Sequence, residues 1–389
     1  MANNGFLKGT TVLSVEQAVS LPYCTWRLAV DGADVIRIES KKGDPNRQVG
    51  QKILDEELMS SYFLSVNAGK KSVTLNLKSE KGQEILKELI TKKDVDIFAS
   101  NQLPGNYKKL GIDYEQIKAV KKDIIWLGVT GFGPDRSEAA YDPMIQAYSG
   151  IMDTNGEPGS PPLRFGISIA DIEAANQGYC EIMKALLQKE KTGEGSRIDV
   201  NMLDASISLL ALHVPSVSLG IPLKKAGNSH PVFSPVDVYK TADGYVSIAV
   251  GNEAQWQAIL KISGFEELNH SRYCKNNRRK VNCKQLYKDL SRIMSTKKSE
   301  EVLTAFRGAR IPISVVNRLQ DVFEEPYLLS KLLSVQDKKT GLKVSLAPPP
   351  VLPTWDVDLC FPPRYGEHNQ EVFGELGYDV AELFKNNVI

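Results

Sequence analysis

What most limits the fold of this chain is an alternation in its first 200 residues, where short β-branched and apolar runs are each followed by a stretch with helical spacing. Thr11 to Val15 reads as a strand, Pro22 to Val30 as a helix, and Asp34-Val35-Ile36-Arg37-Ile38 as a second strand. After the loop Lys41 to Arg47 come Ser72 to Leu77 and a helix from Ser79 to Lys92, with Ile85, Leu86, Leu89 and Ile90 inward. Val95 to Phe98 is a third strand, Tyr107 to Val120 includes another helix, Ile124 to Val129 is a fourth strand, and Ser196 to Val200 a later one. Parallel strands need long crossovers, so this alternation predicts an α/β fold whose mostly parallel sheet is covered by helices on both faces. Ligands of such sheets sit beyond the carboxyl ends of the strands, which singles out the loops after Val15, Ile38, Phe98 and Val129. Gly131-Phe132-Gly133 lacks the third glycine of a dinucleotide fingerprint and opens no helix, so nicotinamide or flavin is not expected.

At 389 residues two domains are expected. Forty-eight basic residues against forty-seven acidic ones give a net charge of +1, so no overall field favours nucleic acid or an anionic membrane, and an anionic ligand has to be met by local groups. The first five residues lack the basic and apolar pattern of a secretory signal. The longest uncharged stretch, Ala205 to Leu223, contains Pro215, Gly220, Pro222 and four serines and reads as a buried helix with an exit loop, not a membrane span. Five cysteines without a CxxC pair predict neither a disulfide framework nor a zinc site, and fit a reducing cytoplasm. Beyond Gly227 to Pro231, the strands Val236 to Tyr239 and Tyr245 to Val250 and the helices around 254–262, 284–295 and 299–307 look like a smaller α+β unit. Ile311 to Asn317 leads back out, a proline-rich extended tail follows, and a last short helix spans Glu371 to Leu376.

The candidate for chemistry is Asp171. An apolar run leads into it, and Ile172, Ala175, Tyr179, Ile182, Met183, Leu186 and Leu187 then recur at helical spacing, which makes Asp171 the expected N-cap of a helix. One reading stops there, since an aspartate cap accepts a backbone N–H of the first turn. The other is that a carboxylate at a helix N-terminus can act as a nucleophile toward an activated acyl group. Spacing does not choose between them. No G-x-S-x-G and no Walker loop occurs, the four histidines are far apart in sequence, and Cys180 inside the Asp171 helix reads as core. Lys41-Lys42 and Lys70-Lys71 could meet phosphates or simply be solvated, and Asp44 to Arg47 could carry an anion-reading arginine or be a surface turn. Tyr141-Asp142 sets a phenol and a carboxylate near Gly131 to Gly133, or Asp142 only starts the helix that ends near Ser149.

Ordered segments from Leu7 to Tyr378 resemble the family III CoA-transferases, typified by formyl-CoA transferase and the carnitine CoA-transferases. They include Gly32-Ala33-Asp34-Val35-Ile36, Gly43-Asp44-Pro45-Asn46-Arg47, Asn67 to Ser72, Gly131-Phe132-Gly133-Pro134, Tyr141-Asp142-Pro143, the block Asp171 to Ala205, Thr241-Ala242-Asp243-Gly244 and Gly366-Glu367-His368. The resemblance implies that Asp171 is the catalytic aspartate. Its carboxylate attacks an acyl-CoA thioester to give an aspartyl–acyl anhydride and CoA thiolate; the thiolate then attacks the aspartyl carbonyl, and the acceptor acid replaces the donor acid. Coenzyme A is then a substrate, and no prosthetic group is implied. By matching position, the implied CoA contacts are Val19, Ser20, Leu75, Asn76, Lys78, Asn101, Gln102, Leu103, Lys109, Tyr141 and Asp142. Ser40, Gln102-Leu103 and Lys109 depart from the residues frequent in the family, and a lysine lacks the bidentate fork of an arginine. A loop at Gly251-Asn252 would help exclude water while the anhydride exists.

The same resemblance implies an interlocked homodimer, each chain with a Rossmann-like large domain and a small α+β domain. Its parts are residues 1–200 (large domain, N-terminal part), 201–226 (linker helix), 227–310 (small domain) and 311–389 (return linker and C-terminal part of the large domain). The partners implied are an acyl-CoA, a small carboxylic acid and a second copy of the chain. Val15-Glu16-Gln17-Ala18 resembles members that act on short dicarboxylates. A 2-methylacyl-CoA racemase is the alternative, but such enzymes carry a histidine where this chain has Tyr141, and they need it to move a proton. A non-catalytic CoA-binding paralogue is the other.

Overall fold

The structure is a computed structural model that describes residues 5–389. The chain forms two compact units, one built from residues up to Met152, Arg164–Ile221 and Lys331–Ile389, the other from Asp153–Leu163 and Pro222–Ser330.

The first unit holds a six-stranded sheet made of β1 (Thr11–Val15), β2 (Asp34–Glu39), β3 (Lys70–Thr74), β4 (Ile97–Ser100), β5 (Ile125–Thr130) and β6 (Ser196–Asn201). All neighbours pair parallel, in the order β3-β2-β1-β4-β5-β6. This is the doubly wound order, which reverses direction between β1 and β4 and opens a crevice there. β4 and β5 are buried along their whole length, which is why they read as unbroken apolar runs and not as alternating ones. One face of the sheet is covered by the Ser20–Val30 and Ile169–Thr192 helices, the other by Glu80–Lys92, Tyr114–Val120 and the returning C-terminal residues Val372, Phe373, Leu376 and Val388. The Ile169–Thr192 helix lies close to the sheet because its inner face is small: Ala170, Ala174, Ala175, Gly178 and Ala185 are buried. A Cβ on Gly178 would already stand 3.4 Å from Cys24 Sγ and from Leu127.

Several elements differ from the sequence reading. The stretch from Tyr107 to Val120 is two helices, because Gly111 adopts a left-handed conformation (φ 72°) and ends the first at Leu110. The linker expected as a helix over residues 201–226 holds two short helices, Met202–Ser208 and Val214–Ser218. Ile313–Val315 (β9) is the third strand of the second unit's sheet, after β7 (Val236–Lys240) and β8 (Tyr245–Ala249) in antiparallel pairing. That sheet packs with Trp256, Leu286, Leu290 and Phe306 in a core of its own. An antiparallel hairpin of β10 (Leu333–Gln336) and β11 (Lys343–Leu346) was not expected at all, although Asp337 and Gly341 (φ 77°) are turn residues. Residues 347–368 form neither helix nor strand.

Candidate active site

Asp171 is not the N-cap. The helix starts at Ile169 with Ser168 before it, so Asp171 is its third residue, and no strand precedes it. The orphan N–H of Ala170 is instead taken by Asp142, whose Oδ1 accepts it at 2.8 Å. Asp142 is buried, and its other oxygen accepts from Gln146 Nε2 at 2.6 Å, one turn further along the Asp142–Tyr148 helix. Gln146, fully buried, also takes the Phe165 N–H (2.9 Å) and donates to the Ile167 carbonyl (3.2 Å), so it ties the incoming segment to the capping carboxylate. A borrowed cap leaves the carboxylate of Asp171 without a hydrogen-bond donor among the described residues, and only burial and the charge of Asp142 act on it. Burial first and the neighbouring carboxylate second push its pKa up to about 7. The pull of the helix N-terminus, about 0.3–1 kcal/mol, is the smaller effect.

Asp171 lines a cavity of about 250 Å³ with Gln17, Ala18, Ser20, Asn101, Leu103 and Tyr141 among its walls. A second cavity of about 470 Å³ is lined by Leu75, Asn76 and four lysines, Lys41, Lys42, Lys78 and Lys109. Gln17 and Gln102 border both. The loops after β1, β2, β4 and β5 thus converge as the sheet topology requires. Of the residues implied by resemblance, Ser20, Asn101, Gln102, Leu103, Tyr141 and Asp171 come together in the smaller cavity, and Leu75, Asn76, Lys78, Gln102 and Lys109 in the larger. Val19 and Asp142 line neither; Val19 precedes the Ser20–Val30 helix and accepts the Tyr23 N–H at 2.8 Å. Gly251 and Asn252 belong to the other unit, where Asn252 caps the Glu253–Ile259 helix.

The loop between the cavities is held in an unfavourable conformation. Ala18 has φ 61°, which costs an alanine about 1–2 kcal/mol. Four side-chain bonds hold it there: Asn101 accepts from Gln17 N–H (3.0 Å) and donates to the Gln17 carbonyl (2.8 Å), Asp44 accepts from Ala18 N–H (3.1 Å), and Asn46 donates to the Ala18 carbonyl (2.8 Å). Behind it lies a buried ionic network that corrects two expectations. Lys70 is neither solvated nor open to a phosphate; its ammonium is buried and bonds Glu16 at 2.8 Å, and burial lowers its pKa to about 8. Arg47 reads no anionic ligand either, since it grips both oxygens of Glu39 at 2.6 and 2.7 Å. Arg37 closes the network on Asp44 at 2.7 Å. Cys180 is exposed, contrary to its reading as core; the buried cysteine is Cys24.

Sequence reasoning named Gln17 only within Val15 to Ala18, not among the contacts, and left out Gln146 and Arg136. Gln146 had a signal in its i, i+4 spacing from Asp142, and Gln17 in its place after the first strand; Arg136, in the irregular loop before Tyr141, had none.

A doubly wound sheet with two adjoining cavities at its switch point, one rich in lysine and one walled by a carboxylate without hydrogen bonds among the described residues, defines an α/β protein built to handle an anionic ligand. The sequence matches the family model "CoA-transferase family III" over residues 7–369, and the chain belongs to that family. It is 33% identical to human succinyl-CoA:glutarate CoA-transferase, covering 98% of this chain and 90% of that protein. It is 29% identical to the succinyl-CoA:mesaconate CoA-transferase of Haloarcula marismortui, covering 97% and 98%. The crystal structure of a CAIB/BAIF family protein from Brucella suis superposes with a TM-score of 0.86 at 30% identity, covering 96% of this chain and 100% of the other. The chain is a CoA-transferase, an enzyme that moves CoA between an acyl-CoA and a carboxylic acid. No helix among the described residues is long and apolar enough to cross a membrane.

Proposed function

We propose that Asp171 is the nucleophile of this CoA-transferase and that its natural acids are short dicarboxylates. One observation carries the reading: the carboxylate has no hydrogen-bond donor among the described residues and lines a cavity that adjoins the lysine-lined one through Gln17 and Gln102. The phosphates of CoA would lie among Lys41, Lys42, Lys78 and Lys109, with the thioester arm passing Gln17 and Gln102 toward Asp171. An Oδ of ionised Asp171 attacks the thioester carbonyl, the C–S bond breaks, and CoA leaves as thiolate. The thiolate then attacks the aspartyl carbonyl of the anhydride and expels the donor acid. The acceptor carboxylate attacks the aspartyl thioester in turn, and the returning thiolate takes its acyl group and restores Asp171. Each step exchanges one activated acyl bond for another, so no prosthetic group is needed, but water has to be kept out.

The dicarboxylate preference rests on the relatives, whose names give glutarate, mesaconate and succinyl-CoA. Racemisation would need a second proton-moving group, and no histidine is among the described residues that line the Asp171 cavity. We also propose the interlocked homodimer and a reducing, cytoplasmic setting. Exposed large apolar side chains on the connecting segments, such as Leu212, Leu219, Leu319 and Val351, support the first, and five unpaired cysteines support the second. Asp171→Ala should abolish transfer from succinyl-CoA to glutarate while CoA binding, measured by calorimetry, persists. Transfer at the native rate would sink the assignment.

A further inference from the structure

We infer that Arg136 receives the remote carboxylate of a dicarboxylic acid held at Asp171, and that Glu138 is a carboxylate of the chain's own which that acid displaces. The inference rests on the transferase reading and adds to it the residue that sets the acid's class. Arg136 is the only cationic side chain among the described residues that line the Asp171 cavity, whereas two carboxylates, Asp171 and Glu138, line it as well. A monocarboxylate entering there brings one charge, which is consumed at the reacting carbon. A dicarboxylate brings a second, and in a cavity that already carries acidic groups a second negative charge is repelled unless a cation meets it.

Arg136 is built to do so. Its Nη2 and Nε face Glu138 side-on, with Nη2 at 2.5 Å from Oε1 and Nε at 3.1 and 3.3 Å from the two oxygens, the fork geometry by which a guanidinium reads a carboxylate. The guanidinium also has a place against a ring, lying 4.9 Å from the Phe132 ring centre, and Phe132 is in turn met edge-on by Tyr148 at 5.6 Å. Its place therefore does not depend on Glu138 alone. The Arg136–Glu138 pair is half exposed, two residues apart, and sits in a stretch with neither helix nor strand. Exposed pairs of this kind add little to stability and exchange partners readily. A dicarboxylate of suitable length can thus take over a grip already shaped for a carboxylate.

The test compares glutarate with pentanoate, acids of equal chain length with and without the second carboxylate, using saturating succinyl-CoA as donor. Arg136→Gln should raise the ratio of the glutarate KM to the pentanoate KM roughly ten- to a hundred-fold, the loss of a charge-assisted bidentate contact. Glu138→Gln should lower that ratio, because the internal competitor is gone. The inference is overturned if Arg136→Gln leaves the ratio at its native value, if both acids suffer equally, or if the native protein prefers pentanoate. A native protein that passes CoA to neither acid overturns the short-dicarboxylate reading on which the inference rests, an outcome read before any variant is made.

Discussion

Two carboxylates meet the start of one helix, and the chain uses them differently. Asp142 takes the backbone N–H and Asp171 is left free. A nucleophilic carboxylate has to be ionised, so with its pKa pushed up to about 7, acyl transfer from the free enzyme should rise roughly tenfold per pH unit below about 7 and level off above it. A kcat/KM profile for succinyl-CoA checks this; a profile flat from about pH 5 to 8 would contradict it. Asp142→Asn keeps an acceptor for the Ala170 N–H but removes the neighbouring charge, so the acid limb of the profile should move to lower pH. The same shift makes stability depend on pH. The unfolded chain releases this proton near 3.8 and the native one holds it to about 7, so the native state binds more protons in that window and loses stability as pH rises through it. Asp171→Asn should therefore melt higher than the native protein at about pH 8, with the gap closing as pH falls toward 4; equal melting at both would refute it. Asp171 was legible as a helix-start carboxylate, and its chemistry through resemblance. Its freedom was not, because the residue that caps in its place lies 28 positions before the Ala170 N–H that it takes.

At the scale of elements, the strands and the helices between them were readable because apolar period and turn residues are local signals. Their long-range ties were not. Lys70 beside Lys71 looks like a solvated pair, yet Lys71 bridges Asp34 and Glu371 on the surface while Lys70 turns inward to Glu16, 54 positions earlier. β10 and β11 do alternate apolar and polar residues, but over only four residues each, too short a run for a period-2 pattern to stand out. The buried network supports the loop after β1 from below, so its parts should matter more than their distance from Asp171 suggests. Lys70→Met leaves Glu16 buried without its ammonium and should cost about 3–5 kcal/mol in urea unfolding. A loss below about 1 kcal/mol, the worth of an exposed pair, would show that the network does not hold the loop.

At the scale of the molecule, the doubly wound sheet explains why residues scattered from Gln17 to Asp171 can meet, since the reversal between β1 and β4 is where the loops of a parallel sheet part and leave room. The pairing with a second chain proposed for segments 205–223 and 311–330 has no local signature, because their apolar residues read like any buried helix or loop. An interlocked dimer of twice the 43.0 kDa chain should persist on dilution in sedimentation velocity, as linked chains part only by unfolding; a monomer at any concentration would contradict it. The central claim is that the Asp171 carboxylate becomes acylated. Its most direct test is to incubate the native protein with succinyl-CoA, quench with hydroxylamine and map the peptides by mass spectrometry. The account predicts a hydroxamate on Asp171 that appears only with the thioester present. A hydroxamate on Glu138 or another carboxylate, or none while CoA is being transferred, would contradict it.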